Sequence, residues 1–279
     1  MLRGNILAAS SYRHVFMISF FPSRAVFLEI LGFNVHWYGI MYLFAFVVAL
    51  LLLPRLQHER GLRFTRDQWA SIVSVSVLGV ILGGRLGYVL FYEPLYFLQN
   101  PQEIIAVWNG GMSSHGGFLG VLLALIFYCR RHKMDIRLLA DIAAVPVAIG
   151  LAFGRFGNFI NQELYGIVTA LPWGIEIPGV EGLRHPTQIY AVLKDLLIAA
   201  VSYWHLHTVR PVRPGRTFAL FLLLYGILRF LLEFLRDQTH PLVDLMVLKL
   251  SYGQLLTIPL LIFGVGLWIW LGKDSSDKA

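Results

Sequence analysis

Seven stretches of this chain, near residues 35–53, 69–92, 113–129, 138–156, 187–204, 217–235 and 252–271, are apolar over nearly the length that crosses a bilayer. About 20 such residues span the hydrocarbon core, and within it the backbone must satisfy its own hydrogen bonds. Seven transmembrane helices are therefore expected, in an all-α integral membrane protein. Composition agrees. Of the 279 residues 57% are hydrophobic and 14% charged, with a mean hydropathy of +0.66, more apolar surface than a soluble domain of this length needs.

The basic residues give the direction of threading. Arg55, Arg60, Arg63 and Arg66 lie between spans one and two; Arg130, Arg131, Lys133 and Arg137 between three and four; Arg210, Arg213 and Arg216 between five and six; Lys273 and Lys278 follow span seven. The other side holds Arg3, Arg13, Arg24, Arg184, Arg236 and Lys249. Cytoplasmic loops collect Lys and Arg, so the N-terminus is expected outside and the C-terminus in the cytoplasm. The formal charge of +7 is then a signal of topology and of attraction to anionic lipid in the bilayer, and no nucleic-acid partner is expected.

Three units are expected: an external segment 1–34, a single membrane domain 35–271 and a cytoplasmic tail 272–279. Met17 is an equally good start, so residues 1–16 stand as an over-extended beginning or a loose tail. No small-residue cleavage site follows a proper apolar core there, and no removable signal peptide is expected. The Gly- and Pro-rich stretch 157–186 includes strand-like WGIEI and reads as a small external cap between helices four and five.

Polar residues gather at one end of these spans. GRFGNFINQELYG, Gly154 to Gly166, places Arg155, Asn158, Asn161 and Glu163 where span four leaves the bilayer, and ionisable groups in that setting need a partner or a function. Span six adds Tyr225, Arg229, Glu233 and Arg236, which fall at about 0°, 40°, 80° and 20° around a helix, a single stripe. Two readings stand for that stripe. Arg229 and Glu233 form a structural i, i+4 pair, or the arginines bind a phosphate, which the guanidinium fork can hold through two parallel hydrogen bonds. Tyr38, Arg85, His115 and Gln188 are expected at the same level. Arg85 is as suited to bracing helices as to touching substrate, and His115 to a tight helix start as to proton transfer.

The single cysteine, Cys129, excludes an internal disulfide and a cysteine metal cluster. No HExxH or GxSxG is present, so zinc-protease and serine-hydrolase chemistry lack their residues.

In order and spacing, HWYG at His36, GGRLGY, SSHGG, GRFGNFINQELYG, HPTQIY, YGILRFLLEFLRD and SYGQLLTIP resemble the bacterial prolipoprotein diacylglyceryl transferase family, over nearly the whole chain from about Met17 to residue 271. The resemblance implies transfer of the diacylglyceryl group of phosphatidylglycerol to the lipobox cysteine thiol of a prolipoprotein signal peptide, releasing glycerol phosphate, in the bacterial inner membrane with the site toward the outer leaflet. It implies no cofactor and no metal. His115 is then the expected base for the thiol, and Arg155 and Arg229 the stabilisers of the departing phosphate. Tyr38, Asn158, Asn161, Glu163, Tyr225, Glu233, Arg236, Arg85 and Gln188 would bind or orient substrate, and Gly166 would allow close backbone packing. The rival reading is a lipid-binding or lipid-transporting membrane protein. Three positions depart from the family pattern: Ala191 stands where an acid is usual, and Gln162 and Tyr165 replace the commoner glycine and tryptophan.

Overall fold

The computed structural model describes residues 18–30, 33–238, 243–244 and 249–273. The expectations for residues 1–17, including a start at Met17, and for the tail beyond 273 lie outside these. A three-stranded antiparallel sheet, β1 (Ile18–Ser23), β2 (Val26–Ile30) and β3 (Phe33–His36), leads directly into α1 (Trp37–Leu56). There follow α2 (Arg66–Phe91), the short α3 (Pro94–Gln99), α4 (Ser114–Arg131), α5 (Ile136–Asn161), α6 (Thr187–Thr208), α7 (Arg216–Leu232) and α8 (Tyr252–Lys273). A two-stranded ribbon, β4 (Val243–Asp244) with β5 (Lys249–Leu250), precedes α8.

The protein is thus mostly helical, with two small sheets added outside the helices. Among the described residues, six helices are long and apolar enough to cross a membrane. The third expected span, 113–129, is α4, an 18-residue helix outside that set. Its apolar stretch is shortened by Ser114 and His115 at one end and by Arg130 and Arg131 at the other. Only 17% of the most apolar window of α1, and of α8, is buried within the protein. Their remaining apolar side chains, among them Leu43, Phe44, Leu51, Ile262 and Phe263, face outward as a lipid-facing surface would.

Glycine sets the closest helix pair. Along α2, Gly79, Gly83 and Gly87 lie four residues apart, and they meet Gly116 and Gly120 of α4. A Cβ on Gly120 would stand 2.1 Å from the Gly79 carbonyl oxygen, and one on Gly83 would stand 2.3 Å from that of Gly116. Small residues at this spacing let two membrane helices approach backbone to backbone, where packing replaces the missing hydrophobic drive.

Hydrogen bonds between helices define the two ends of the bundle. At one end, the C-terminal part of α1 and the turn after it join the starts of α5 and α7 and the end of α6. Arg60 donates to Asp141 Oδ2 (2.8 Å), Thr217 Oγ1 (2.7 Å) and the Leu206 carbonyl (3.1 Å). Asp141 also accepts from the backbone of Gly215 and Phe218, both at 3.0 Å. Arg60, counted among the basic residues between spans one and two, is buried, because this network satisfies its guanidinium. At the other end lie the starts of α1, α4, α6 and α8 with the ends of α2, α5 and α7, and there the polar signature residues collect.

Candidate active site

The helix carrying the central signature is longer than its hydropathy implies. Arg155 was expected to close span four, with Asn158 and Asn161 after it; α5 runs on to Asn161, so all three are helical and share its last turns. The helix stops at Gln162, in the left-handed region with φ 56°, and Leu164 repeats that conformation at φ 57°. Gln162, where the family commonly carries glycine, therefore holds a backbone that glycine adopts without strain. Arg24 in the β1–β2 turn donates to the Ile160 carbonyl (2.5 Å), tying the N-terminal sheet to this helix end.

A cavity opens between α5, α6 and α7. Arg155, Asn158, Leu164, Thr187, Gln188, Ala191, Lys194, Arg229, Leu232 and Arg236 line it. Tyr38 and Glu163 meet at its edge through Asn158, whose Nδ2 donates to the Tyr38 hydroxyl and to Glu163 Oε1 (2.9 Å). Burial raises the Glu163 carboxyl above its usual range. Gln188 donates to the Glu163 carbonyl (2.8 Å), while its buried Oε1 has no donor among the described residues.

The α7 stripe is present but does not continue as one α-helix. After Leu232 the chain tightens into a 3-10 turn, Glu233–Leu235, and Arg236 is extended. Glu233, buried, pairs with Arg229, lies 3.7 Å from Arg236 and accepts from Ser251 Oγ (3.1 Å). Burial lowers the Arg236 pKa, and Glu233 opposes that fall. Arg155 differs from both: among the described residues no carboxylate pairs with it. The structural pair of the first reading therefore exists, and beside it Arg155 lines the cavity with no ion-pair partner among the described residues.

Gly166 fixes the loop over this end. Its N–H donates to the His185 carbonyl (2.9 Å), and it bridges antiparallel to Arg236. A Cβ there would stand 2.5 Å from His185 Cβ and 2.5 Å from the Leu235 carbonyl oxygen. Replacement Gly166→Ala is accordingly expected to cost about 1–3 kcal/mol of stability and to lower activity by moving Arg236. Gly154→Ala, where a Cβ meets nothing within 4 Å, is the control and is expected to be neutral or slightly stabilising. Thermal unfolding and activity of the two purified variants check both outcomes. The rest of the loop 162–186 is irregular, with isolated bridges Val168 to Arg184 and Ile175 to Arg184.

Not every expected residue lines the cavity. Arg85 is buried, and its guanidinium is taken up by the carbonyls of Glu103 (2.5 Å), Ile104 (2.9 Å), Gly110 (2.6 Å) and Gly111 (3.1 Å), which makes it a brace for the segment after α3. His115 is exposed in the first turn of α4, behind the N-cap Ser113, and is outside the arginine cavity. Asn161 Oδ1 is buried without a donor among the described residues. Tyr225 faces the cavity's Lys194, whose Nζ lies 4.3 Å from the ring centroid. The other two departures from the family pattern sit close by: Ala191 in the cavity wall, and Tyr165 with its ring centroid 5.8 Å from the Arg184 guanidinium. Sequence reasoning passed over Thr187 and Lys194 as lining residues, although Gln188, Ala191 and Lys194 recur every third position on α6.

Fold and site together define a multi-pass membrane protein whose helix bundle encloses an arginine-rich cavity at one end. A family model described as prolipoprotein diacylglyceryl transferase matches residues 25–270. Proteins named phosphatidylglycerol–prolipoprotein diacylglyceryl transferase are similar throughout. The one from Polynucleobacter asymbioticus is 45% identical over 253 residues, covering 88% of this chain and 94% of its own length. That from Geobacter sulfurreducens is 43% identical over 255 residues, covering 89% and 95%. That from Nitrosomonas europaea is 42% identical over 238 residues, covering 85% of each. The chain belongs to the prolipoprotein diacylglyceryl transferase family and is a transferase.

Proposed function

We propose that this chain transfers the diacylglyceryl group of phosphatidylglycerol to the lipobox cysteine thiol of a prolipoprotein. The peptide sulfur attacks the glycerol carbon that carries the phosphate, the C–S bond forms as the C–O bond breaks, and the electron pair leaves on glycerol phosphate. A thiol is mostly protonated at neutral pH, so a proton acceptor is required. His115 fills that role, taking the thiol proton. The negative charge that grows on the departing phosphate is met by Arg155 and Arg229, with Arg236 behind them. Asn158, Tyr38, Glu163 and Gln188 orient the headgroup. Because His115 lies outside the arginine cavity, the bound lipid bridges the two, phosphate inward and the reacting carbon toward α4.

The observation that carries this reading is the Arg155 guanidinium, which lines a cavity with no ion-pair partner among the described residues while Glu233 serves Arg229 and Arg236. The test is incubation of the purified protein with phosphatidylglycerol and a lipobox peptide. Release of glycerol phosphate that depends on the peptide thiol is expected. Lipid binding without release would indicate a binding protein.

In the same reading α4 completes seven spans, the N-terminus is external, the C-terminus cytoplasmic, and the site faces the outer leaflet of the bacterial inner membrane. The basic residues Arg55, Arg63, Arg130, Arg131 and Arg213, all at the end opposite the cavity, support it. A reporter fused after Ala279 is expected to be active only when of the kind that works in the cytoplasm. Activity restricted to a periplasmic reporter would reverse the orientation.

A further inference from the structure

Among the ion pairs buried in the helix bundle, two differ in how completely they are satisfied. The pair of Arg60 with Asp141 is closed: the carboxylate takes Arg60 and two backbone N–H groups, and the guanidinium reaches Thr217 and two carbonyls besides. Lys194 with Asp195 on α6 is open. Both are buried, and Lys194 Nζ meets Asp195 Oδ1. An ammonium has three donors, yet among the described residues only that oxygen accepts from Nζ, and the Tyr225 ring lies 4.3 Å from it. Asp195 Oδ2 is buried with no donor among the described residues. Incomplete satisfaction of a buried pair is costly, so a pair kept only for stability is expected in the closed form.

Lys194 also lines the cavity with Arg155, Arg229 and Arg236, and Ala191, one turn before it on α6, contributes only a methyl group to the wall. Against the four cations stand the carboxylates of Asp195 and Glu233, with Glu163 at the cavity edge, so positive charge is in excess there. A phosphodiester carries one negative charge, whereas a phosphate monoester carries about −1.5 to −2. A cavity with positive charge in excess therefore attracts the monoester more strongly than the diester. A lysine suits such a change, because its compact charge on a flexible stem can turn from one oxygen to another.

We propose that Lys194 is a fourth phosphate ligand of this site, turning from Asp195 to the phosphate oxygen as the bound diester becomes a monoester. The proposal rests on the transferase reading above. No proton moves in this step; the C–O electron pair stays on phosphate, and Nζ donates a hydrogen bond to it. Asp195 is a positioning residue that parks the ammonium when the cavity is empty.

The test measures equilibrium binding of glycerol phosphate, with inorganic phosphate in parallel, to the purified wild type, to Asp195→Asn and to the double variant Lys194→Met/Asp195→Asn. Removing both partners leaves no buried unpaired charge, and thermal unfolding verifies that each variant folds. The double variant is expected to bind glycerol phosphate about 10- to 100-fold more weakly, the loss of one charge-assisted hydrogen bond. Asp195→Asn, which frees the ammonium, is expected to bind as tightly as wild type or more so. A purely structural pair predicts otherwise. Unchanged binding in the double variant, or weakening in Asp195→Asn equal to that of the double, would overturn the proposal. If the double variant does not fold, weaker binding in Asp195→Asn alone overturns it and equal or tighter binding supports it. A wild type that binds glycerol phosphate but releases none from phosphatidylglycerol would instead sink the transferase reading.

Discussion

Arg155→Ala is expected to lose about 10² to 10³ in turnover, the usual cost of removing one preorganised donor aimed at developing negative charge, while unfolding at nearly the wild-type temperature. Stability should be spared because Arg155 has no carboxylate partner among the described residues. Arg229→Ala is expected to be as inactive and, in addition, less stable, since Glu233 is buried and, among the described residues, would keep only the Arg236 contact at 3.7 Å and the Ser251 hydroxyl. Breaking a buried pair by removing one partner costs up to about 3–5 kcal/mol. Turnover and thermal unfolding of the two variants separate these effects. Lysine at 155 should rescue poorly, because a point charge does not reproduce the bidentate fork. Full activity in Arg155→Lys would show that charge alone suffices. Exchanging Arg229 and Glu233 is expected to recover stability without recovering activity, since the guanidinium then points from the wrong position.

His115→Ala is expected to leave phosphatidylglycerol binding nearly intact and to lower turnover by about 10² to 10⁴, the range for losing a positioned base. The deficit should narrow as pH rises toward the thiol range near about 8.5, where the peptide supplies its own thiolate. Rates for wild type and variant from about pH 6 to pH 9.5 provide the check. A deficit that stays constant over that interval, or a binding defect of matching size, would move the proton step to the field of Arg155, Lys194, Arg229 and Arg236. The exposed position of His115, outside the cavity, makes this a demanding test.

Much of the bundle was legible from hydropathy alone. The expected spans 187–204 and 252–271 begin where α6 and α8 begin, at Thr187 and Tyr252. Span four ended too early, because hydropathy falls at Arg155 whereas the helix continues until Gln162 turns left-handed. Polar residues do not stop a helix when its neighbours supply partners, as Tyr38 does for Asn158. The N-terminal sheet went unread, since Ile18–His36 is short and only moderately apolar, and its pairing is a property of three segments together.

The stripe of Tyr225, Arg229 and Glu233 follows from helical period and needs no tertiary information. The same holds for the gathering of Arg155, Asn158, Gln188 and Arg229 at one end, because span order and loop charge assign each residue a depth. Which cations are paired and which are free does not follow from sequence. Arg85 and Arg155 look alike along the chain, each among glycines near the end of an apolar run. Only folding places four carbonyls around Arg85 and none of the described carboxylates on Arg155. Likewise Arg60 and Lys194 acquire opposite characters, one closed in a network and the other facing a cavity. Periodicity and hydropathy are local sums, so the sequence by itself determines segment, depth and face; satisfaction of a buried charge depends on groups brought from distant segments, and the tertiary structure alone decides it.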